Sequence, residues 1–383
     1  MNRRVVILFA LFLAPVAVCS IGRTQEPSES NTKSKTKSAT SAKGRSTTKK
    51  VDPNVVIGRV LDSTNGIQLF APQSMNMQFG MKFNSNQNYC TNILATIPFP
   101  MDWPEQKVTV VSNQIPDQMA TQFRDLPAGA RQLVMKMAAM PPNTLLDLIV
   151  QVQIEKSFIN PPPDTSIFRI PNPKTMPKEL KWYMGSSPYI DAELSDIRKA
   201  AKKIEDSKPE NAWQHVERIY DWVRENIQYR SGGIRQIKEA LKDKQGDCEE
   251  MTGIFVALCR ASDIPARCVW VPEHCYPEFY LEDEDGNGHW FPCQAAGDRQ
   301  FGQMHDYRPI LQKGDRFKVP EEQAMQRYVA HFLSCKQRAV IPGARDMEVE
   351  PVLDLGPLQA QLNALRQNAA QGQNASPGGA PNP

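Results

Sequence analysis

Between Cys248 and Ser262 the chain is apolar on nearly every side of a helix. Met251, Ile254, Phe255, Val256, Ala257, Leu258 and Cys259 leave little polar face, and a helix built this way belongs in the middle of a domain. Gln245-Gly246-Asp247 makes a turn just before it, so Cys248 opens the helix. The amides of a first helical turn and the helix dipole stabilise a thiolate at such a position. Helices precede this segment. Leu194, Ile197, Ala200, Ala201 and Ile204 share one face, and Trp213, Val216, Tyr220, Val223 and Ile227 share another after Asn211. Gly232-Gly233 breaks the chain, and Ile234 to Leu241 predicts a short third helix. Strands follow Ile264-Pro265: Arg267 to Val271, Cys275 to Leu281, and His289 to Cys293 after a polar turn with Asp-Gly and Asn-Gly signals. Helices, one buried helix and then an antiparallel sheet make an α+β class.

The rest of the 383 residues suggests further domains. Arg3 and Arg4 precede an apolar run to Val18 that is short for a membrane span, which predicts a cleaved export signal over residues 1–22. The alternatives are an uncleaved anchor and lipidation at Cys19. Residues 23–50 are rich in Ser, Thr, Lys and Gly and predict a disordered basic linker. Ten Lys/Arg in the first 50 residues face only Glu26 and Glu29, so the rest of the chain is net negative although the whole is +3. This argues against nucleic-acid binding. Residues 51–163 predict a β-rich, sandwich-like domain from short runs at 54–61, 67–70, 93–99, 107–111, 132–137 and 145–154. Residues 164–190 read as a connector, 191–335 as the α+β domain, and 336–383 as a largely disordered tail with a marginal helix at 359–370.

A nucleophilic cysteine needs a base within hydrogen-bond reach. His274 stands just before a strand that can return to the start of the Cys248 helix. On spacing alone the pair is as readily structural. Seven cysteines follow the signal, and an odd number leaves one thiol unpaired in an exported chain. Cys259 reads as core; Cys268, Cys275 and Cys293 fall on strands and could form a disulfide or line the site. No Cys-x-x-Cys spacing supports zinc. His289 and His215 read as exposed, Trp213 and Trp222 as core, and the acidic turn at 282–285 as a solvated loop.

The stretch from Gly246-Asp247-Cys248 through Leu258-Cys259-Arg260 to Ile264-Pro265-Ala266-Arg267 resembles the core of the transglutaminase-like superfamily. Ile219-Tyr220-Asp221-Trp222-Val223-Arg224-Glu225-Asn226-Ile227-Gln228-Tyr229 is similar to the helix that family places upstream. His274-Cys275-Tyr276-Pro277-Glu278-Phe279-Tyr280-Leu281 is similar to its histidine strand. The resemblance spans residues 185–297 and implies a papain-like Cys-His-Asp fold in a bacterial exported member. It implies Cys248 as nucleophile and His274 as general base. The family's aspartate position holds Gln294, with Asp298 as the alternative third member. Asp263 stands where the family has glycine at a left-handed turn. Pro277 predicts an edge or bulge, and the short Cys-to-His interval a trimmed loop.

The implied function is an exported thiol enzyme, periplasmic, in the cell envelope or secreted. It would act as a cysteine protease or amidase, or as a transglutaminase-type acyltransferase, on a protein or peptide substrate through a Cys248 thioester. A cell-envelope component is a candidate substrate, and the membrane enters only through the signal or anchor. No cofactor and no metal are expected. The alternative is a catalytically impaired binding or scaffold module at the cell envelope.

Overall fold

The computed structural model describes residues 3–9, 66–70, 72–233 and 235–356. Most of the expected signal, the linker, the run at 54–61 and the helix at 359–370 lie outside them. In chain order the first strands are β1 (Arg3–Phe9), β2 (Gln68–Leu69), β3 (Gln73–Asn84), β4 (Asn88–Phe99), β5 (Gln106–Gln114), β6 (Met119–Leu126), β7 (Ala130–Met140), β8 (Leu145–Lys156) and β9 (Ile159–Asn160). Then come α1 (Lys178–Lys181), α2 (Ser195–Asp206), α3 (Ala212–Asn226), β10 (Gln228–Tyr229), α4 (Ile237–Asp243), β11 (Gln245–Gly246) and α5 (Cys248–Ala261). The chain continues as β12 (Ala266–Val271), β13 (His274–Glu282), β14 (Gly288–Pro292), β15 (Gln312–Lys313), β16 (His331–Ala339) and β17 (Glu348–Asp354).

Alternation builds a sandwich. Met77, Phe79, Met81 and Phe83 of β3 and Leu148, Val150, Val152 and Ile154 of β8 turn to one side and are buried. They pack on Ile93, Ala95, Ile97 and Phe99 of β4 and Leu133, Met135 and Met137 of β7. One sheet runs β17-β3-β8-β5. The facing strands belong to a longer sheet, β1-β16-β4-β7-β15-β12-β13-β14, with β6 on β7.

That longer sheet changes the expected organisation. The β-rich half is not a separate unit, because β15 pairs β7 through Gln312 opposite Ala130 and β12 through Val269 and Trp270. The 336–383 tail is also not all irregular: β17 runs along β3 from Glu348 opposite Asn84 to Asp354 opposite Gln78. β1, from the segment read as a signal, pairs with β16 from Arg3 opposite Gln337 to Phe9 opposite His331.

Around α5 the sequence reading and the structure agree closely. The helix is buried from Glu250 to Arg260, between α2, α3 and α4 on one side and β12 and β13 on the other. Asn211 caps α3 by accepting from the Gln214 N–H at 2.9 Å. Asp263 takes φ 59° after α5, the left-handed turn the sequence implied. Pro277 departs from expectation: it lies inside β13, between β12 and β14, with no bulge against β12. Its carbonyl accepts from Cys293 N–H, so its missing N–H also faces the β14 side, just past where β14 ends at Pro292.

Buried charges fasten the seam. Lys313 Nζ donates to Glu105 Oε1 and to Glu278 Oε1, each at 2.6 Å, and Arg267 Nε donates to Glu278 Oε2 at 2.8 Å. All four side chains are almost fully buried. Replacing the ammonium leaves the buried Glu105 carboxylate unpaired and Glu278 with Arg267 alone. Lys313→Met is expected to cost about 3–5 kcal/mol of stability, measured by denaturant unfolding; a loss under about 1 kcal/mol would mean the carboxylates find other partners.

Candidate active site at the α5 N-terminus

Asp247 caps α5 and settles which amides are spoken for. Its carboxylate accepts from Glu249 N–H at 2.8 Å and Glu250 N–H at 3.4 Å, while Glu250 Oε2 accepts from Asp247 N–H at 2.8 Å. This reciprocal box leaves the Cys248 N–H as the first-turn donor the cap does not use. Gly246 makes the box possible. A Cβ there would lie 2.8 Å from Glu250 Cβ, blocking the side chain that reaches back to Asp247.

His274 opens β13 directly opposite Val271, after the two-residue turn Pro272-Glu273. α5 is tied to this strand by Thr252 Oγ1, which donates to the Cys275 carbonyl at 3.1 Å. The Cys275 N–H in turn hydrogen-bonds the Cys248 sulfur, so the thiol lies against the residue after His274. On its other side, His274 Nε2 meets Gln294 Oε1 at 2.7 Å. An amide oxygen only accepts, so Nε2 carries the proton and Nδ1 keeps a free lone pair. Gln294 is itself fixed: its carbonyl accepts from Tyr220 Oη at 2.9 Å and Arg224 Nη1 at 3.2 Å. Asp298, the alternative third member, is exposed and makes no such bond to His274.

Burial governs the protonation of the pair. It pushes the Cys248 thiol up to about 12, with the Asp247 charge adding to the rise and the Cys275 N–H opposing it. Burial also holds His274 down to about 4, helped by the nearby Arg308 guanidinium and opposed by Gln294. The helix start was expected to favour a thiolate; desolvation outweighs it, and the resting pair is neutral at neutral pH.

Other residues complete the surroundings, several of them unlike the sequence reading. Tyr229, exposed on β10, sits opposite Gly246 and within electrostatic range of Cys248. Cys268 and Cys275 touch through their sulfurs but sit diagonally, Cys268 facing Pro277, and every cysteine among the described residues is free. His289 is buried, not exposed, because Asp283 of the acidic turn folds in to meet its Nε2 at 3.0 Å. His215 is also buried, on the inner side of α3. Arg308, held by Asp306 through Nε and Nη2 at 2.8 and 2.6 Å, escaped the sequence reading. It comes from the irregular stretch after β14, where no periodicity marks it. Among the described residues no three His, Cys, Asp or Glu are arranged to hold a metal ion.

Residues 198–295 match the family model of the transglutaminase-like superfamily core. This segment is a transglutaminase-like core. The match supports a thiol enzyme kind, and it takes in Cys248, His274 and Gln294. No curated protein matches the chain significantly. Two solved structures are similar to it. A candidate cysteine protease from Cytophaga hutchinsonii is 16% identical, over 75% of this chain and 93% of that one, with a TM-score of 0.44. A candidate protease from Parabacteroides distasonis is 10% identical, over 60% and 68%, with a TM-score of 0.22.

Three outcomes test this arrangement. Asp247→Ala removes the cap and is expected to cost about 1–2 kcal/mol, read by thermal unfolding. Gln294→Glu puts a negative charge at Nε2, which favours imidazolium, raises His274 and so lowers the thiol. Iodoacetamide labelling of Cys248 at pH 7 should then rise by about tenfold or more, because the thiolate fraction grows as the thiol becomes more acidic. In the unmodified protein the labelling rate should keep climbing with pH and show no plateau below pH 8.

Proposed function

We propose that the chain is an exported thiol enzyme that cleaves or transfers the acyl group of a protein or peptide amide. The observation that carries this is the Cys248–His274–Gln294 constellation, with the proton fixed on Nε2 and Cys248 N–H left over at the helix start. In the reaction, His274 Nδ1 takes the thiol proton as Cys248 sulfur attacks the amide carbonyl. The oxygen that gains charge lies within reach of the Cys248 N–H. His274 then gives its proton to the leaving amine, and a thioester remains on Cys248. Water releases an acid, or a second amine forms a new amide. Gln294 accepts from Nε2–H in both the imidazole and the imidazolium, so the ring keeps its orientation through all of these steps. Because the pair rests neutral, the thiolate forms on the way to the transition state, when substrate has displaced water from the site.

A cell-envelope protein or peptide is the substrate class that export would supply. A second reading, a binding or scaffold module that keeps the fold without turnover, draws on the amide at 294 and the neutral resting pair. Intact mass spectrometry with activated peptide esters and amides, with and without amine acceptors, separates the two. The enzyme reading expects an acyl adduct on Cys248 that turns over, absent in Cys248→Ala, with activity lower by several orders of magnitude in that variant. Peptide binding that Cys248→Ala leaves unchanged, with no adduct on any timescale, would establish the module instead.

A further inference from the structure

A small cavity of about 20 Å³ lies against the first turn of α5, at Glu249 and Glu250. Tyr189, Glu249, Cys268, Trp270, Asp315 and Arg327 line it. Two buried polar atoms on this lining lack a partner: Asp315 Oδ1 and Arg327 Nη2. Each belongs to a group that is otherwise engaged. Asp315 Oδ2 accepts from Arg260 Nη2 at 2.7 Å. Arg327 Nη1 makes an ion contact to Glu249 Oε2, and its guanidinium lies among Tyr189, Trp270 and Tyr328 at 4.9, 5.6 and 5.5 Å from the ring centres. Orphaned buried polar atoms are costly, and a donor and an acceptor around one space call for an occupant that satisfies both.

The chemistry of the lining selects the occupant. One of the free atoms accepts and one donates, which is the complement of a molecule that can both donate and accept. The surrounding charges balance: Glu249, Glu250 and Asp315 stand against Arg235, Arg260 and Arg327, pairing as Arg235 with Glu250, Arg260 with Asp315 and Arg327 with Glu249. A cation would meet the Arg327 guanidinium and an anion would meet two carboxylates, so the occupant is neutral. The space admits one water and little more, since about 10–15 Å³ suffices for one. We propose that this cavity binds a single structural water, which donates to Asp315 Oδ1 and accepts from Arg327 Nη2. It joins the two chain segments carrying Asp315 and Arg327, the second of which pairs with Glu249 beside the nucleophile.

A crystal structure of the full chain, at a resolution that shows ordered solvent, tests this. One water peak is expected within about 3.2 Å of both Asp315 Oδ1 and Arg327 Nη2, and it should be present equally in Cys248→Ala. An empty cavity, a heavier ion, or a collapse that brings Asp315 and Arg327 into direct contact would each overturn the proposal. The readout is the solvent structure and not turnover, so it succeeds or fails independently of the proposed reaction.

Discussion

The Lys313 ammonium, shut between Glu105 and Glu278, is the contact on which the architecture turns. β15 has only two residues, too few to splice two halves of a sheet by backbone bonds alone. Lys313 gives it a side-chain anchor to the sandwich through Glu105 and to β13 through Glu278, and Arg267 completes the neutralisation from β12. Arg267 also lies 4.0 Å from the Trp290 ring centre, bringing β14 into the same knot. Charges buried this deeply tolerate only well-paired geometry, so the registers of four strands are set together. β13 carries His274 at its head, and the chain leaving β14 carries Gln294. The seam therefore holds two of the three site residues at a fixed spacing.

Much of this was legible in the sequence. The positions of α2, α3 and α5 followed from helical spacing, from the helix start after Asn211 and from the turn at Gln245-Gly246-Asp247, and these are local signals. Cys248, His274 and Gln294 were singled out through motif residues, which carry a tertiary relation that spacing lacks, and the structure brings His274 and Gln294 into contact. β3 went unread although it alternates perfectly, because its inward residues are Met and Phe and none is β-branched. β17 was lost in an acidic segment containing Pro351, whose shape comes from a partner far away in the chain. The charges of the seam and the burial of His289 share that cause: each depends on a neighbour that only the folded chain supplies.

Within the site, the amide at 294 exchanges reactivity for control. A carboxylate there would hold His274 charged and Cys248 ionised at rest, exposing a reactive sulfur to oxidants and stray electrophiles. With an amide in a buried setting, orientation is kept and both Cys248 and His274 are held towards their neutral forms. Arg308 pushes in the same direction by opposing imidazolium. Fixed tautomer and neutral ground state come from one hydrogen bond and the apolar packing behind it.

The last strand has a consequence for how this chain is made. β17 closes the sandwich by lying along β3, pairing Leu353 with Phe79 across most of the molecule's length. β16 does the same for β4, and β15 for β7. A ribosome or a translocation pore releases β3, β4 and β7 long before these partners emerge. The early strands then wait with open edges and a methionine-rich apolar face uncovered, a state prone to pairing with other chains. Completion of the fold is thus tied to the arrival of the C-terminal residues. A chain stopped short of residue 348 would carry every residue of the site and lack the strand that lets the molecule close.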